Sequence, residues 1–366
     1  MRALFTIIAG IFLLSTNIAF AVESDFQERV LHGKVIEVLE EDIREIPGTG
    51  TEHLYQKIRA EILGGERKGE TIIIENDYFE LKKGDKFFFN NFIDVSGTEV
   101  SGVLSIDRKD SLIALVVVFI VTVVAFGGWQ GVRSLLALGG SFFAIFYILM
   151  PGILGGWNPL FASIAVATGI LFAAIFFTHG FNRESVVAYV GTMASVLLTG
   201  LFAVFAVEIT SLSGFAAEES VYLNFSTQGT LDFSALLLGA IIIGVLGVLD
   251  DVAVTQAAVV TELFNSNASL TRREVYFKAL RVGREHVGAL VNTLVLAYTG
   301  ASLPLLLYFY LSPAGFGALV NSELFATEIV RTIVGSIGLI LAVPIVTLLA
   351  VLFLKGYTAR HSHIHR

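Results

Sequence analysis

The sequence predicts a polytopic α-helical membrane bundle of about seven spans, preceded by a small extracytoplasmic β-barrel-like domain. Three observations lead there. The chain has 366 residues, 55% of them hydrophobic, with mean hydropathy +0.76, too apolar for an ordinary soluble domain. Its charge is unevenly placed: residues 22–110 carry 12 Lys/Arg against 20 Asp/Glu, while 111–366 carry 11 against 12 over a far longer stretch. From Ser111 onward, apolar stretches of membrane length alternate with short polar connections.

The first element, 1–21, reads as a secretory signal. Arg2 is the basic flank, 4–14 the apolar region, and Ala19-Phe20-Ala21 a small-residue cleavage site. An uncleaved anchor helix is the alternative. The chain has no Cys, which excludes disulfides, thiolate catalysis and lipidation at Cys.

Residues 22–110 form the second element. Within 57–63, Ile58, Ala60 and Ile62 alternate with Arg59 and Glu61, the period of a half-buried strand. Alternation over 30–39, a β-branched run at 71–74 and an aromatic run at 86–92 add further strands. Pro47-Gly48, Gly64-Gly65, Asn76-Asp77 and Lys83-Gly84-Asp85 supply turns. About five short strands suit a small barrel, OB-like in character. Its net acidity argues against nucleic acid, whose phosphates repel it. A folded cap or assembly domain is the first reading, ligand sensing the second.

The third element, 111–355, carries spans near 112–128, 134–151, 159–178, 186–210, 232–252, 287–311 and 329–354. Alternate connections hold Arg133, then Arg183, then Arg272, Arg273, Lys278, Arg281 and Arg284, and finally Lys355, Arg360 and Arg366. The other connections, 151–158, 211–231 and 312–328, hold no Lys or Arg. The positive-inside bias puts the basic set in the cytoplasm and the β domain outside, consistent with a cleaved signal. Trp129 and Trp157 fall at span ends, where aromatic belts lie. The basic connecting segment 271–286 carries helical signals, with Thr271 as N-cap, and reads as lying on the inner leaflet. The tail, 356–366, alternates His361, His363 and His365; a flexible tail of this kind predicts no specific metal site, and no cofactor is expected.

Chemistry concentrates in the fifth span. Leu246-Gly247-Val248-Leu249-Asp250-Asp251-Val252-Ala253-Val254-Thr255-Gln256 sets two carboxylates, a hydroxyl and an amide into an apolar helix. Each ionised Asp at mid-bilayer costs roughly 2.5–3.5 kcal/mol on insertion scales, so such residues usually face a bundle interior or a watery path. Helical spacing sets Gly244, Gly247, Asp251 and Thr255 on one face, with Asp250 about 100° away. The helix either emerges after Leu249 or breaks and keeps the pair at depth; an Asp pair capping a following helix is the structural alternative. Oxygen donors favour a proton or hard cation. In the sixth span, Asn292 and Thr299 share a face, Thr293 flanks them, and Gly300 to Pro304 interrupt the helix as at transporter sites. Asn292 and Thr299 join Asp250, Asp251, Thr255 and Gln256 as the expected ion or substrate site. Glu208, Arg284, His286 and Arg331 are candidates for gating or an entrance.

The stretch 246–256, with Arg281-Val282-Gly283-Arg284-Glu285-His286 and Ala289-Leu290-Val291-Asn292-Thr293-Leu294-Val295-Leu296-Ala297-Tyr298-Thr299-Gly300-Ala301, resembles the YibE/F-like family of bacterial multi-span membrane proteins. The resemblance covers most of 110–355, and longer members carry a similar β module. It implies a multi-pass protein of the bacterial inner membrane, in a family only presumed to be transport-related. It leaves open which carboxylate of Asp250-Asp251 acts.

Function classes narrow accordingly. No G-x-x-x-x-G-K-[ST] phosphate loop or H-E-x-x-H zinc motif is present. An aspartyl intramembrane protease needs carboxylates from different helices sharing one proton, whereas Asp250 and Asp251 are neighbours. The expectation is a non-enzymatic permease: a proton- or cation-coupled secondary transporter or export component. A membrane scaffold or signalling subunit is the alternative. Its partners would be membrane lipid, a small ion or solute and other membrane proteins.

Overall fold

A computed structural model of the chain describes residues 29–46, 50–77, 79–93 and 99–354. The predicted signal 1–21 and tail 356–366, including its histidines, lie outside these residues. The chain divides into two compact units, Met1–Phe119 and Ile120–Arg366.

In the first unit, β1 (Arg29–Ile46), β2 (Thr51–Ile62), β3 (Thr71–Asn76), β4 (Lys86–Ile93) and β5 (Glu99–Ile106) close into a barrel of order β1-β2-β3-β5-β4. The predicted alternation decides which side faces in: Ile58, Ala60 and Ile62 are fully buried, while Glu61 is exposed. They meet Val35, Ile74, Leu81, Phe87 and Phe89 in one core. Closing so small a barrel requires a sharply curved strand. The 18-residue β1 supplies it, with register shifts against β2 between Val35 and Glu37 and between Val38 and Glu40. Gly33 is needed where β1 bends over the core, since a Cβ there would sit 3.0 Å from the Phe87 ring. Buried Gln56 pins the 80s loop, donating to Leu81 O and accepting from Leu81 N and Asn76 Nδ2. His32 Nε2 lies 2.9 Å from Asp107 Oδ2, and Oδ1 of Asp107 accepts from Lys109 N at 2.9 Å.

That bond marks the start of α1 (Lys109–Ala144), which runs through a π-helical turn (Ile145–Leu149) into α2 (Met150–Leu154). There follow α3 (Pro159–His179), α4 (Arg183–Ile209), α5 (Glu218–Ser226), α6 (Phe233–Ser266), α7 (Arg272–Ala301), α8 (Leu303–Leu311), α9 (Phe316–Val320) and α10 (Glu323–Leu354). Asn158, Asn182 and Asp232 cap α3, α4 and α6 by accepting from the first free amides.

Among the described residues, five helical runs are long and apolar enough to cross a membrane: Lys109–Leu154, α3, α4, α6 and α10. The bent pair α7–α8 makes a sixth. Seven spans were predicted. The difference lies in the first run, which contains both 112–128 and 134–151 without an intervening loop. Gly128 breaks it, at φ 53° and ψ −134°, a conformation open essentially to glycine. A Cβ on Gly131 would collide with the Val123 carbonyl. Residues that far apart in a straight helix stand ~12 Å apart along the axis, so the run folds back at Gly128.

The bundle packs through small residues, as membrane helices do in the absence of a hydrophobic drive between them. α4, α6 and α10 form its centre. Gly191 of α4 faces Val346 of α10, Gly200 faces Ile242 of α6, and Gly338 of α10 lies against Thr199 of α4. On α3, Ser163 meets Gly239 of α6. The buried hydroxyls of Thr192, Ser195 and Thr199 bond to carbonyls of their own helix at 2.7–2.8 Å, so none is stranded. Outward faces are mostly apolar, with Leu201, Phe205 and Phe353 all more than half exposed.

Segment 271–286 is helical from Thr271, as its signals predict, and it is continuous with the sixth span instead of a connection before it. Thr271 starts α7 with a capping box to Glu274, and nothing between 286 and 287 breaks the ladder, so the basic segment and the sixth span are one helix. The interruption predicted at Gly300 to Pro304 is present: α7 and α8 meet at Ser302 with a 63° bend.

Candidate functional site

The helix α6 carries the carboxylate pair. It runs unbroken for 34 residues, which removes the predicted alternative of a break at the glycines. Asp250 stands roughly 17 residues along it, ~26 Å at 1.5 Å per residue. Its buried side, with Ile242, Val245, Leu249, Val252 and Ala253, packs into the bundle. The other side carries Gly247, half-buried Asp250 and exposed Asp251.

These residues line a cleft of about 520 Å³ bounded by the second half of α1, by α3 and by α6. Its apolar wall includes Leu138, Phe142, Ile170, Leu171, Ile175, Ile243 and Leu246. Its polar lining consists of Asp250, Asp251, Gln130, Ser134, Ser141, Thr178 and His179. Gln130 Nε2 donates to Thr178 O at 3.1 Å and ties α1 to α3. The Thr178 hydroxyl donates to Ala174 O and lies 2.7 Å from His179 Nδ1. Ser141 donates to Ala137 O, which leaves its lone pairs turned outward as acceptors. Among the described residues, neither Asp250 nor Asp251 forms an ion pair, and no group of three or more His, Asp or Glu is arranged for a metal ion. The cleft thus offers two uncompensated carboxylates, hydroxyl and amide oxygens, and one imidazole.

Of the predicted site residues, only Asp250 and Asp251 line this cleft. Gln256 points to the opposite side of α6. It is 3% exposed, donating to Ala279 O of α7 at 2.9 Å and to Thr347 Oγ1 of α10 at 2.7 Å. It ties three helices together and does not line the cleft. Gly283 leaves room for it, since a Cβ there would sit 2.7 Å from Gln256 Oε1. Thr255 is half-buried outside the cleft. Asn292 and Thr299 share a face as predicted, but both are exposed, on the side of α7 opposite Gly283, Val287 and Leu294. Thr299 bonds Val295 O of its own helix.

The entrance candidates scatter. Arg331 pairs with Glu328 one turn away at 2.7 Å, both half-buried. Glu208 and Arg284 are exposed, and the Nε2 of His286 is buried without a partner among the described residues. None of the four lines the cleft.

Gln130, Ser134, Ser141, Thr178 and His179 were not singled out from the sequence. A signal for some of them existed: Gln130 precedes Arg133 and Thr178-His179 precede Arg183, in or beside two of the basic connections. Glu323 accepts from Ser213 N at 2.7 Å and Ser213 Oγ at 2.6 Å, joining two of the Lys/Arg-free segments, while Gln130 and Thr178 join two of the basic ones.

Residues 115–356 match the family described as YibE/F-like protein. Nothing matches among curated proteins or among solved structures.

Proposed function

We propose, from the premise that this chain belongs to the YibE/F-like family, that the cleft between α1, α3 and α6 binds a proton or a small hard cation. On this reading the protein is a non-enzymatic permease: a proton- or cation-coupled transporter or export component. The observation that carries it is the pair of carboxylates facing a cleft with no cationic side chain to neutralise them. Two adjacent carboxylates near lipid are stable only with a proton or bound cation on at least one of them. Asp250 and Asp251 hold the ion, and Ser134, Ser141 and Gln130 add oxygen donors of the hard class. His179, at the cleft mouth beside Thr178, passes protons between water and the pair.

The orientation that fits has seven spans, the run through α1 crossing twice by folding back at Gly128. The fold-back of α1 at Gly128 with Arg133, the α3–α4 connection with Arg183, the basic start of α7 and the C-terminal end of α10 then lie in the cytoplasm of a bacterial inner membrane, and the barrel lies outside. The cleft mouth opens inward. The partners of the site are lipid and a small ion or solute.

The test is flux in vesicles of purified, reconstituted protein, read with a pH-sensitive dye and with separate gradients of monovalent and divalent cations. Asp250→Asn and Asp251→Asn, together or singly, should abolish flux while the protein remains folded by thermal melting. Full flux in the double variant would sink the ion site. A folded wild type without flux under any of these gradients would favour a scaffold or signalling subunit instead.

A further inference from the structure

The outward face of α7 does not match the apolar outward faces of its neighbours. Arg281, Glu285, Gly288, Asn292 and Thr299 follow at spacings of four, three, four and seven, and all are exposed. At 3.6 residues per turn they form one stripe, opposite the face that buries Val275, Ala279, Gly283, Val287 and Leu294.

Two members of the stripe have no explanation inside the chain. Thr299, like neighbouring Thr293, bonds a carbonyl four residues back, but the Asn292 amide has no partner among the described residues. An amide facing lipid unbonded costs several kcal/mol by water-to-alkane transfer. Gly288, one turn away, has nothing within 4 Å of where its Cβ would be. Glycine inside a helix costs about 1 kcal/mol relative to alanine, and here no internal neighbour requires it. A missing side chain beside an unpaired amide is the pattern of a close helix–helix approach in a membrane.

We propose that a second copy of this chain covers the stripe, α7 against α7 about a two-fold axis along the membrane normal. The stripe is complementary to itself. Copies in one membrane share an orientation, so their α7 helices meet in parallel and each residue near the axis meets its own counterpart. Asparagine has both donor and acceptor, so the two Asn292 amides satisfy each other. Arg281 and Glu285, opposite charges one turn apart and without ion pairs among the described residues, pair crosswise, the Arg281 of each copy with the Glu285 of the other. Gly288 lets the backbones approach between these two contacts. The dimer rests on the membrane embedding of α7 and not on what the cleft carries, so it stands or falls apart from the flux assay.

The absence of cysteine makes the test direct. Leu296→Cys, on the same stripe and 66% exposed, is compared with Leu201→Cys on the outward face of α4, 68% exposed, in dilute proteoliposomes under mild oxidation. Leu296→Cys should form a disulfide-linked dimer and Leu201→Cys should not. Photobleaching steps of singly labelled protein should show two copies per particle. Asn292→Leu or Gly288→Leu should weaken association roughly five- to thirtyfold, with the melting temperature unchanged when it is read at a detergent dilution where wild type and variant are both monomeric. Four outcomes overturn the proposal: equal cross-linking at both positions, one bleaching step for the wild type, association unaffected by both leucine variants, or a lowered melting temperature of the dilute monomer, which would place the stripe inside the monomer. In native membranes, Leu296→Cys captured by a different protein without self-linked dimer overturns it as well.

Discussion

Gln256→Leu separates a structural role for the fifth span's amide from a role in the ion site. Its Nε2 donates to Ala279 O at 2.9 Å and Thr347 Oγ1 at 2.7 Å, and the residue is 3% exposed. Leucine has nearly the same volume, so little cavity is created, and the loss is that of two interhelical hydrogen bonds. Such bonds in membrane bundles average about 0.6 kcal/mol, with a maximum near 1.7, which gives about 1–3 kcal/mol for the pair. Thr347 keeps its own bond to Val343 O at 2.6 Å, so no hydroxyl is left stranded to raise the figure. Thr347→Val should cost about half as much. The double variant should cost little more than Gln256→Leu alone, because both remove a shared bond. Steric trapping in bicelles, or thermal melting in detergent, reads these differences. Unchanged stability in Gln256→Leu together with lost cation flux would refute the reasoning and return Gln256 to the ion path.

Two further outcomes follow from the packing and the barrel. Gly338→Ala should destabilise the bundle by about 1–3 kcal/mol, because its Cβ would overlap the Thr199 side chain. Thr199→Ala in the same chain should restore much of the loss, and a melting temperature unchanged by Gly338→Ala would mean that α4 and α10 do not approach so closely. In the barrel, the Lys109 amide and then the charge of His32 hold the Asp107 carboxyl below its ordinary range, against a desolvation that raises it. A depressed carboxyl contributes stability that is complete above its unfolded value, about 3.9, and declines as pH falls through the lower folded value. Protection factors of β1 and β5 amides in the full chain should therefore fall on acidification below about pH 4 more steeply in the wild type than in Asp107→Asn; equal pH profiles would show that Asp107 contributes nothing.

Much of this architecture is legible in the sequence because its causes are local. Period-two alternation at 57–63 reports which β2 residues face the barrel core, since successive strand side chains must point to opposite faces. Apolar length reports α3, α4, α6 and α10, since a span must cover the hydrocarbon. Pro304 reports the bend after α7, since it lacks the amide a continued helix would need. The site was only half legible. A lone carboxylate pair in an apolar helix stands out in any reading, so Asp250 and Asp251 are legible, whereas Gln130, Ser134, Thr178 and His179, which line the same cleft, lie among ordinary span-end residues.

What the amino-acid order determined by itself is the barrel, the apolar helices and their two charge-sorted ends, because these depend on neighbours in the chain. Only the tertiary structure decided what each side of α6 meets. Helical spacing groups residues by angle, but it cannot say which angle faces α1 and α3 and which faces α7 and α10. That choice depends on where Gly191, Gly200, Gly239 and Gly338 let helices approach. It turns Asp250 and Asp251 toward an open cleft, Gln256 into a buried tie between helices, and Asn292 to the outside.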